Sequence, residues 1–225
     1  FMEYEKHDGK VVGKLANKNV DTGAGLERLT MVIQKKDNVF DTDLFSGLME
    51  VTKGITNDVR AQRIIADHMR TAVMMITDGV TPSNTDRGYI LRRLIRRAVV
   101  KAGEGLKPAV IASLVLAVSE IYEGVYEDVK NNKEHIAEEI NNEIEKFQKT
   151  LRTGLLHLTK ELAKNLETDE AINREMISGK KAFDLFQSYG FPVEITEELA
   201  KEKGIRVDRA GFELEFKKHQ ELSRA

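Results

Sequence analysis

Two periodicities divide the chain. Over the first twenty residues apolar and polar positions alternate, as in Phe1-Met2-Glu3-Tyr4, and a His7-Asp8-Gly9-Lys10 turn separates that run from another near Val11-Val12. A small β element is expected there. After a Gly-rich turn, Leu26, Leu29, Val32 and Ile33 recur at helical spacing, and from Asp41 onward nearly every apolar residue follows a ~3.6-residue period. The spacing predicts helices over Asp41–Thr52, Asn57–Asp78, Thr85–Ala102, Pro108–Tyr122, Glu127–Lys164, Glu170–Ile177, Lys180–Tyr189, Pro192–Lys203 and Asp208–Arg224. Gly79, Pro82, Gly103, Gly105, Gly190, Pro192 and Gly204 stand where these helices should stop. Ser178 and Asp208 stand where a side-chain oxygen accepts the free N–H groups of a helix start. The expected fold class is mainly α: a small β element within 1–40, then a helical domain over 41–225 with one long helix and a further division near residue 125.

The Glu127–Lys164 segment would run ~50 Å as one helix. Ile140, Ile144, Phe147, Leu151, Leu155, Leu158 and Leu162 step along it by fours and threes, like a coiled-coil seam. Packing of that seam inside its own domain is the favoured reading, and the acidic residues opposite it read as a solvated face.

Composition narrows the classes. With 225 residues, 41% of them hydrophobic, and no long apolar run, the chain has material for a core and no membrane span. No cysteine is present, which excludes disulfides and thiolate metal sites. The five histidines are not spaced as a metal pair, so no zinc site is expected. Formal charge is only -2, but it is segregated. Arg60 to Lys101 carries nine Arg/Lys against three Asp, and Glu120 to Glu145 carries nine acidic residues against Lys130 and Lys133. Such asymmetry can hide a nucleic-acid footprint inside a near-neutral chain. Both ends read as cut from a longer protein: the first lacks an initiator methionine or signal peptide, and the last helix has no stop signal.

Three constellations carry candidate chemistry. In Val20-Asp21-Thr22-Gly23-Ala24-Gly25-Leu26-Glu27-Arg28-Leu29, two glycines allow a close approach to the backbone, flanked by a cation-binding aspartate and an anion-binding arginine. The run is neither a Walker A loop nor a dinucleotide fingerprint. Further on, Arg92, Arg93, Arg96 and Arg97 fill one half of a helical wheel and Ile90, Leu91, Leu94, Ile95, Ala98 and Val99 the other. Four guanidinium forks on one face suit phosphates; a solvated face balanced by acids elsewhere is the competing reading. The stiff loop Gly79 to Gly88 feeds this helix, and its Asn84 offers both a donor and an acceptor to a base edge. Asn84 or Thr85 also fits a helix N-cap. Around Arg63, Asp67, His68 and Arg70 a structural ion-pair network is expected.

In order along the chain, Asp21 to Leu29, Phe40-Asp41-Thr42-Asp43-Leu44-Phe45, Arg63 to Arg70, Asp78 to Arg97 and Tyr189-Gly190-Phe191-Pro192 resemble the alanyl-tRNA synthetase family of class II aminoacyl-tRNA synthetases. The Gly-rich run is similar to its motif 3. The resemblance implies a cytoplasmic enzyme that adenylates alanine with ATP and Mg²⁺ and transfers it to alanine tRNA. It assigns the α-amino contact to Asp21, a small pocket to Gly23, ATP contacts to Gly25 and Arg28, and stabilisation of leaving-group charge to Arg28. For the tRNA acceptor stem, with its G·U wobble pair read from the minor groove, it implies Asn84, Arg87, Arg92, Arg93, Arg96, Arg97 and Gln187. Gln187 departs from the family pattern, which commonly has Asp there; Asp184 and Glu194 are substitutes. The resemblance also implies that motifs 1 and 2 lie before Phe1 and a zinc-dependent editing domain after Ala225, which leaves the isolated chain inactive, without bound cofactor, and a partner of the remaining synthetase but of neither membrane nor DNA. A free-standing helical RNA-binding module and a helical scaffold built on the long seam are the alternatives.

Overall fold

The computed structural model describes residues 2–19, 23–167 and 176–224. The described chain is mainly helical, and it divides into two units, 1–46 and 47–225. In the first, β1 (Met2–His7) and β2 (Lys10–Asn19) form an antiparallel hairpin with His7 opposite Lys10. Asp8 (φ 47°) and Gly9 (φ 80°) supply the two positive φ angles that a tight primed turn needs. Helix α1 (Leu26–Ile33) follows, then a 3₁₀ turn (Val39–Asp41) in which the Asn38 side chain accepts from the Phe40 N–H.

Helix α2 (Asp43–Lys53) leads into α3 (Val59–Thr77), α4 (Asp86–Ala102), α5 (Pro108–Ile121), the short α6 (Glu127–Asn131) and α7 (Lys133–Glu167). β3 (Met176–Ile177), α8 (Gly179–Tyr189), α9 (Val193–Lys201), β4 (Arg206–Val207) and α10 (Arg209–Arg224) complete the second unit. Its core is built where α3 packs on α4 and where α7 is covered by α4, α5 and α8. Ile65, Met69, Leu91, Ile95, Ile111, Leu114, Ile136 and Ile140 are fully buried there. A second apolar cluster joins α8 to α10 through Phe183, Phe186, Phe212 and Phe216, with Phe186 and Phe212 edge to face at 5.8 Å.

Three expectations need correcting. The predicted helix ending at Ile177 is wrong at that end: Met176 and Ile177 are a strand paired in parallel with Arg206 and Val207, while 170–175 lie outside the described residues. The long helix breaks at Asn132, whose side-chain amide donates to the Asp128 carbonyl at 2.9 Å and competes with the backbone ladder. On α4, Ile90 is exposed and Arg96 is buried, so the covered face is rotated from the one the wheel gives. The seam itself is internal: Ile140, Ile144, Phe147 and Leu158 are buried, Leu151 and Leu155 half-buried, and the Leu162 side chain lies outside those described. Both expected caps form. Ser178 Oγ accepts from Lys181 N, and Asp208 accepts from Gly211 N at 2.9 Å and Gly179 N at 3.3 Å, tying the starts of α8 and α10 together.

Candidate nucleic-acid interface

In the Gly-rich run, Val20, Asp21 and Thr22 lie outside the described residues. Gly25 is the N-cap of α1 with an ordinary φ of -66°, and its carbonyl accepts from Leu29 N at 3.0 Å. A Cβ on Gly23 would meet nothing within 4 Å, and one on Gly25 would meet the Arg28 side chain only at 3.8 Å. Nothing within the described fold therefore demands glycine at either place. Arg28 is exposed.

The loop before α4 is locked by its own short contacts. Ser83 N donates to the Gly88 carbonyl at 3.1 Å, and Ser83 Oγ donates to the Thr85 carbonyl at 3.0 Å. Asp86 holds φ 49°, a left-handed conformation that costs on the order of 1 kcal/mol or more for a residue with a Cβ. A Cβ on Gly88 would collide with Ser83 and with the Thr81 carbonyl, so the loop closes only over a glycine. Thr85 is the N-cap of α4, yet neither it nor Asn84 caps with its side chain. Asn84 is exposed, and its Oδ1 accepts from Arg92 Nη1. Beside it, Arg87 is exposed with no carboxylate partner among the described residues.

Along α4 the arginines meet the fold's own acids. Glu143 of α7, 1% exposed, places Oε1 2.7 Å from both Nε and Nη2 of Arg96 and 3.2 Å from Arg92 Nε. Arg96 also donates to the Gly190 carbonyl at 2.5 Å and lies over the Phe147 ring at 5.0 Å. Burial pulls the Arg96 pKa down, with the Glu143 charge and hydrogen bond opposing it. On the adjoining turns Arg93 pairs with Glu194 at 2.9 Å and Arg97 with Glu198 at 3.2 Å. Arg97 Nη1 also contacts His68 Nε2 at 3.0 Å, and His68 Nδ1 contacts Asp67 at 3.0 Å. A guanidinium can only donate, so Nε2 accepts and the imidazole proton sits on Nδ1, facing Asp67. The hydrogen bond from His68 holds the Asp67 carboxyl below the usual range. Asp67 is thus linked through His68 to Arg97 of α4 and on to Glu198 of α9.

Tyr189-Gly190-Phe191-Pro192 has a structural explanation. Gly190 ends α8 in the left-handed region (φ 68°), and its N–H returns to the Phe186 carbonyl at 2.9 Å. A Cβ there would strike the Arg96 guanidinium. Thr150 Oγ1 donates to the Tyr189 carbonyl at 2.8 Å, and Phe191 packs on Phe147 with centroids 5.7 Å apart. These contacts fasten the end of α8 against α4 and α7, and with it Gln187.

The result is one cleft of about 500 Å³. It is lined by Asn84, Tyr89 and Arg92 from the loop and α4, by Phe186 and Gln187 of α8, and by Phe216 and His219 of α10. Asn84 and Gln187 both belong to it. Arg93 and Arg97 lie outside it, part-exposed on the α9 side. Glu194 pairs with Arg93 and Arg209 through Oε1 alone, while its Oε2 is buried without a hydrogen-bond partner. Burial, then the Glu194 charge, keeps the Tyr89 hydroxyl protonated by raising its pKa. Among the described residues no group of three His, Asp or Glu gathers to hold a metal ion, and no helix is long and apolar enough to cross a membrane.

Sequence spacing does not single out several of these residues. Glu143 reads as one of the solvated acids, although it lies three residues after Ile140 and four before Phe147, on the buried face. Glu194 and Glu198 are four apart, as Arg93 and Arg97 are, a matching period that marks two facing helices. Phe216 and His219 carry no local signal.

Comparison with known proteins gives the same direction. A family model described as tRNA synthetases class II (A) matches residues 1–225. The chain is 41% identical over 235 aligned residues to the alanine–tRNA ligase of Borrelia hermsii, covering all of this chain and 38% of that protein. It is 42% identical over 233 aligned residues to the alanine–tRNA ligase of Bacillus velezensis, covering all of this chain and 26% of that protein. The chain thus spans well under half the length of the curated relatives it matches.

Proposed function

The chain belongs to the class II tRNA synthetase (A) family, and from that premise we propose that its helical unit recognises the acceptor stem of alanine tRNA at a wobble G·U pair. The observation that carries the reading is that Asn84 and Gln187, far apart in sequence, line the same cleft. Both are exposed amides with donors and acceptors suited to the minor-groove edges of a base pair. Tyr89, Phe186 and Phe216 give the cleft an apolar body against which a sugar or base edge can rest.

Phosphate contact falls first to Arg87, exposed beside Asn84, and then to the part-exposed Arg93 and Arg97, whose pairs with Glu194 and Glu198 a phosphate can rearrange. Arg92 borders the cleft. Arg96 is given a structural role, because Glu143, Gly190 and Phe147 already surround its guanidinium.

The parent activity we propose is ATP-dependent adenylation of alanine and transfer to alanine tRNA in the cytoplasm. Bound ATP with Mg²⁺ supplies the activated phosphate. Arg28, exposed on α1, fits an anionic phosphate, and the open space over Gly23 fits a close-lying ligand. Asp21 is proposed for the alanine amino group.

The test is binding of a short acceptor-stem RNA hairpin with the G·U pair or with G·C in its place. About tenfold or more tighter binding of the wobble stem is expected, as for loss of a base contact worth ~1–3 kcal/mol. Equal affinity for the two stems overturns wobble recognition and leaves an RNA-binding module. A scaffold built on the long helix is disfavoured, since its seam is buried within the unit.

A further inference from the structure

Resting on that reading of Asn84, we propose that Arg92 is a positioning residue: anchored on Glu143, it holds the Asn84 amide so that only its donor end faces the cleft. Arginine has five N–H donors and no acceptor. Since Arg92 Nη1 meets the Asn84 amide, the atom it meets is the oxygen, and Oδ1 is already engaged as an acceptor. The Nδ2 end, with two N–H groups, has no acceptor among the described residues and is the end left for a ligand.

Turning the amide over would set Nδ2 donors against guanidinium donors, an arrangement with no hydrogen bond and unfavourable electrostatics. The backbone cannot compensate, because Ser83 and Gly88 lock the loop on either side of Asn84. Arg92 is itself tethered: its Nε lies 3.2 Å from Glu143 Oε1, and the Glu143 side chain is 2% exposed and held also by Arg96. One nitrogen of the planar fork meets the reading amide, while Nε keeps a charge contact with the buried acid without hydrogen-bonding to it. A lysine offers one nitrogen and cannot do both.

The consequence is chemical. Minor-groove acceptors are pyrimidine O2 and purine N3, while the guanine exocyclic amine is a donor. A donor-only Asn84 addresses O2 or N3, and the guanine amine is left to an acceptor such as the exposed Gln187 carbonyl.

Two substitutions in the full chain test this, read as the affinity ratio between G·U and G·C hairpins and as the salt dependence of binding. Thermal unfolding of each variant is followed alongside. Asn84→Asp keeps the oxygen that meets Arg92 and replaces the donor NH2 group with a second, acceptor-only oxygen. It is expected to lose the wobble preference as fully as Asn84→Ala, about tenfold; retention of wild-type preference would overturn the proposal. Arg92→Lys keeps the cationic charge and removes the fork, and Arg96 still neutralises Glu143. Loss of the wobble preference with an unchanged salt slope is expected. A Lys variant with the preference intact, or with a shallower slope as its only change, makes Arg92 a phosphate contact and refutes the positioning role. If the wild-type chain shows no wobble preference at all, the failure lies with the proposed function and not with Arg92.

Discussion

Arg96 and Glu143 show how far one residue's role depends on what covers it. Arg96 is 8% exposed, and its guanidinium is shared among Glu143, the Gly190 carbonyl and the Phe147 ring. Removing one partner of a buried pair strands the other charge, which costs ~3–5 kcal/mol. Arg96→Ala is therefore expected to lower unfolding free energy by about that amount in urea denaturation. Arg93 and Arg97, in part-exposed pairs, are expected to cost only ~0.2–1 kcal/mol each on the same measurement. A loss at Arg96 no larger than at Arg93 would contradict the clamp. Asn84→Ala should leave stability unchanged, because its side chain caps no helix, while weakening wobble-stem binding by ~1–3 kcal/mol in a titration.

At the scale of elements, α4 is held on two sides: by α7 through Glu143, and by α9 through the paired periods of Arg93/Arg97 and Glu194/Glu198. Burial pushes the Glu198 carboxyl up, but Lys101 at 3.0 Å and Arg97 outweigh it and hold the group below the ordinary glutamate range. Its contribution to stability is complete above about pH 4.3, the unfolded value, and is lost as pH falls through the lower folded value. Glu198→Gln is thus expected to flatten the acid limb of a melting-temperature profile. The α7 seam gives a second check. Ile140 is fully buried against neighbouring helices, so Ile140→Ala should cost ~2–5 kcal/mol and leave sedimentation unchanged. A new oligomeric state in that variant would revive an intermolecular seam.

For the molecule as a whole, a near-neutral net charge hides a guanidinium surface that its own acids largely neutralise. Binding to RNA should consequently be salt-dependent but shallow for so many arginines. Arg87 is the exposed one beside the cleft. Arg87→Ala is expected to weaken wobble and G·C stems equally and to reduce the salt slope by about one. A sequence-selective loss would place Arg87 at a base instead.

Local rules were enough for much of this. The His7-Asp8-Gly9-Lys10 hairpin, the caps at Ser178 and Asp208, and most helix bounds follow from turn chemistry and apolar spacing, which act over a few residues. Motif order along the chain likewise carried the family resemblance. The same rules misjudged the covered face of α4 and the role of Glu143, because a helical wheel averages over a face and does not know which neighbour lies on it. Nor could spacing bring Asn84, Gln187 and His219 to one cleft. That proximity is set by long-range contacts, Thr150 to Tyr189, Arg96 to Gly190 and Phe147 to Phe191, each joining segments dozens of residues apart. Sequence alone determined most of the elements and the residue types they carry; only packing decided which arginine is a clamp, which one orients an amide, and which stays exposed beside the cleft.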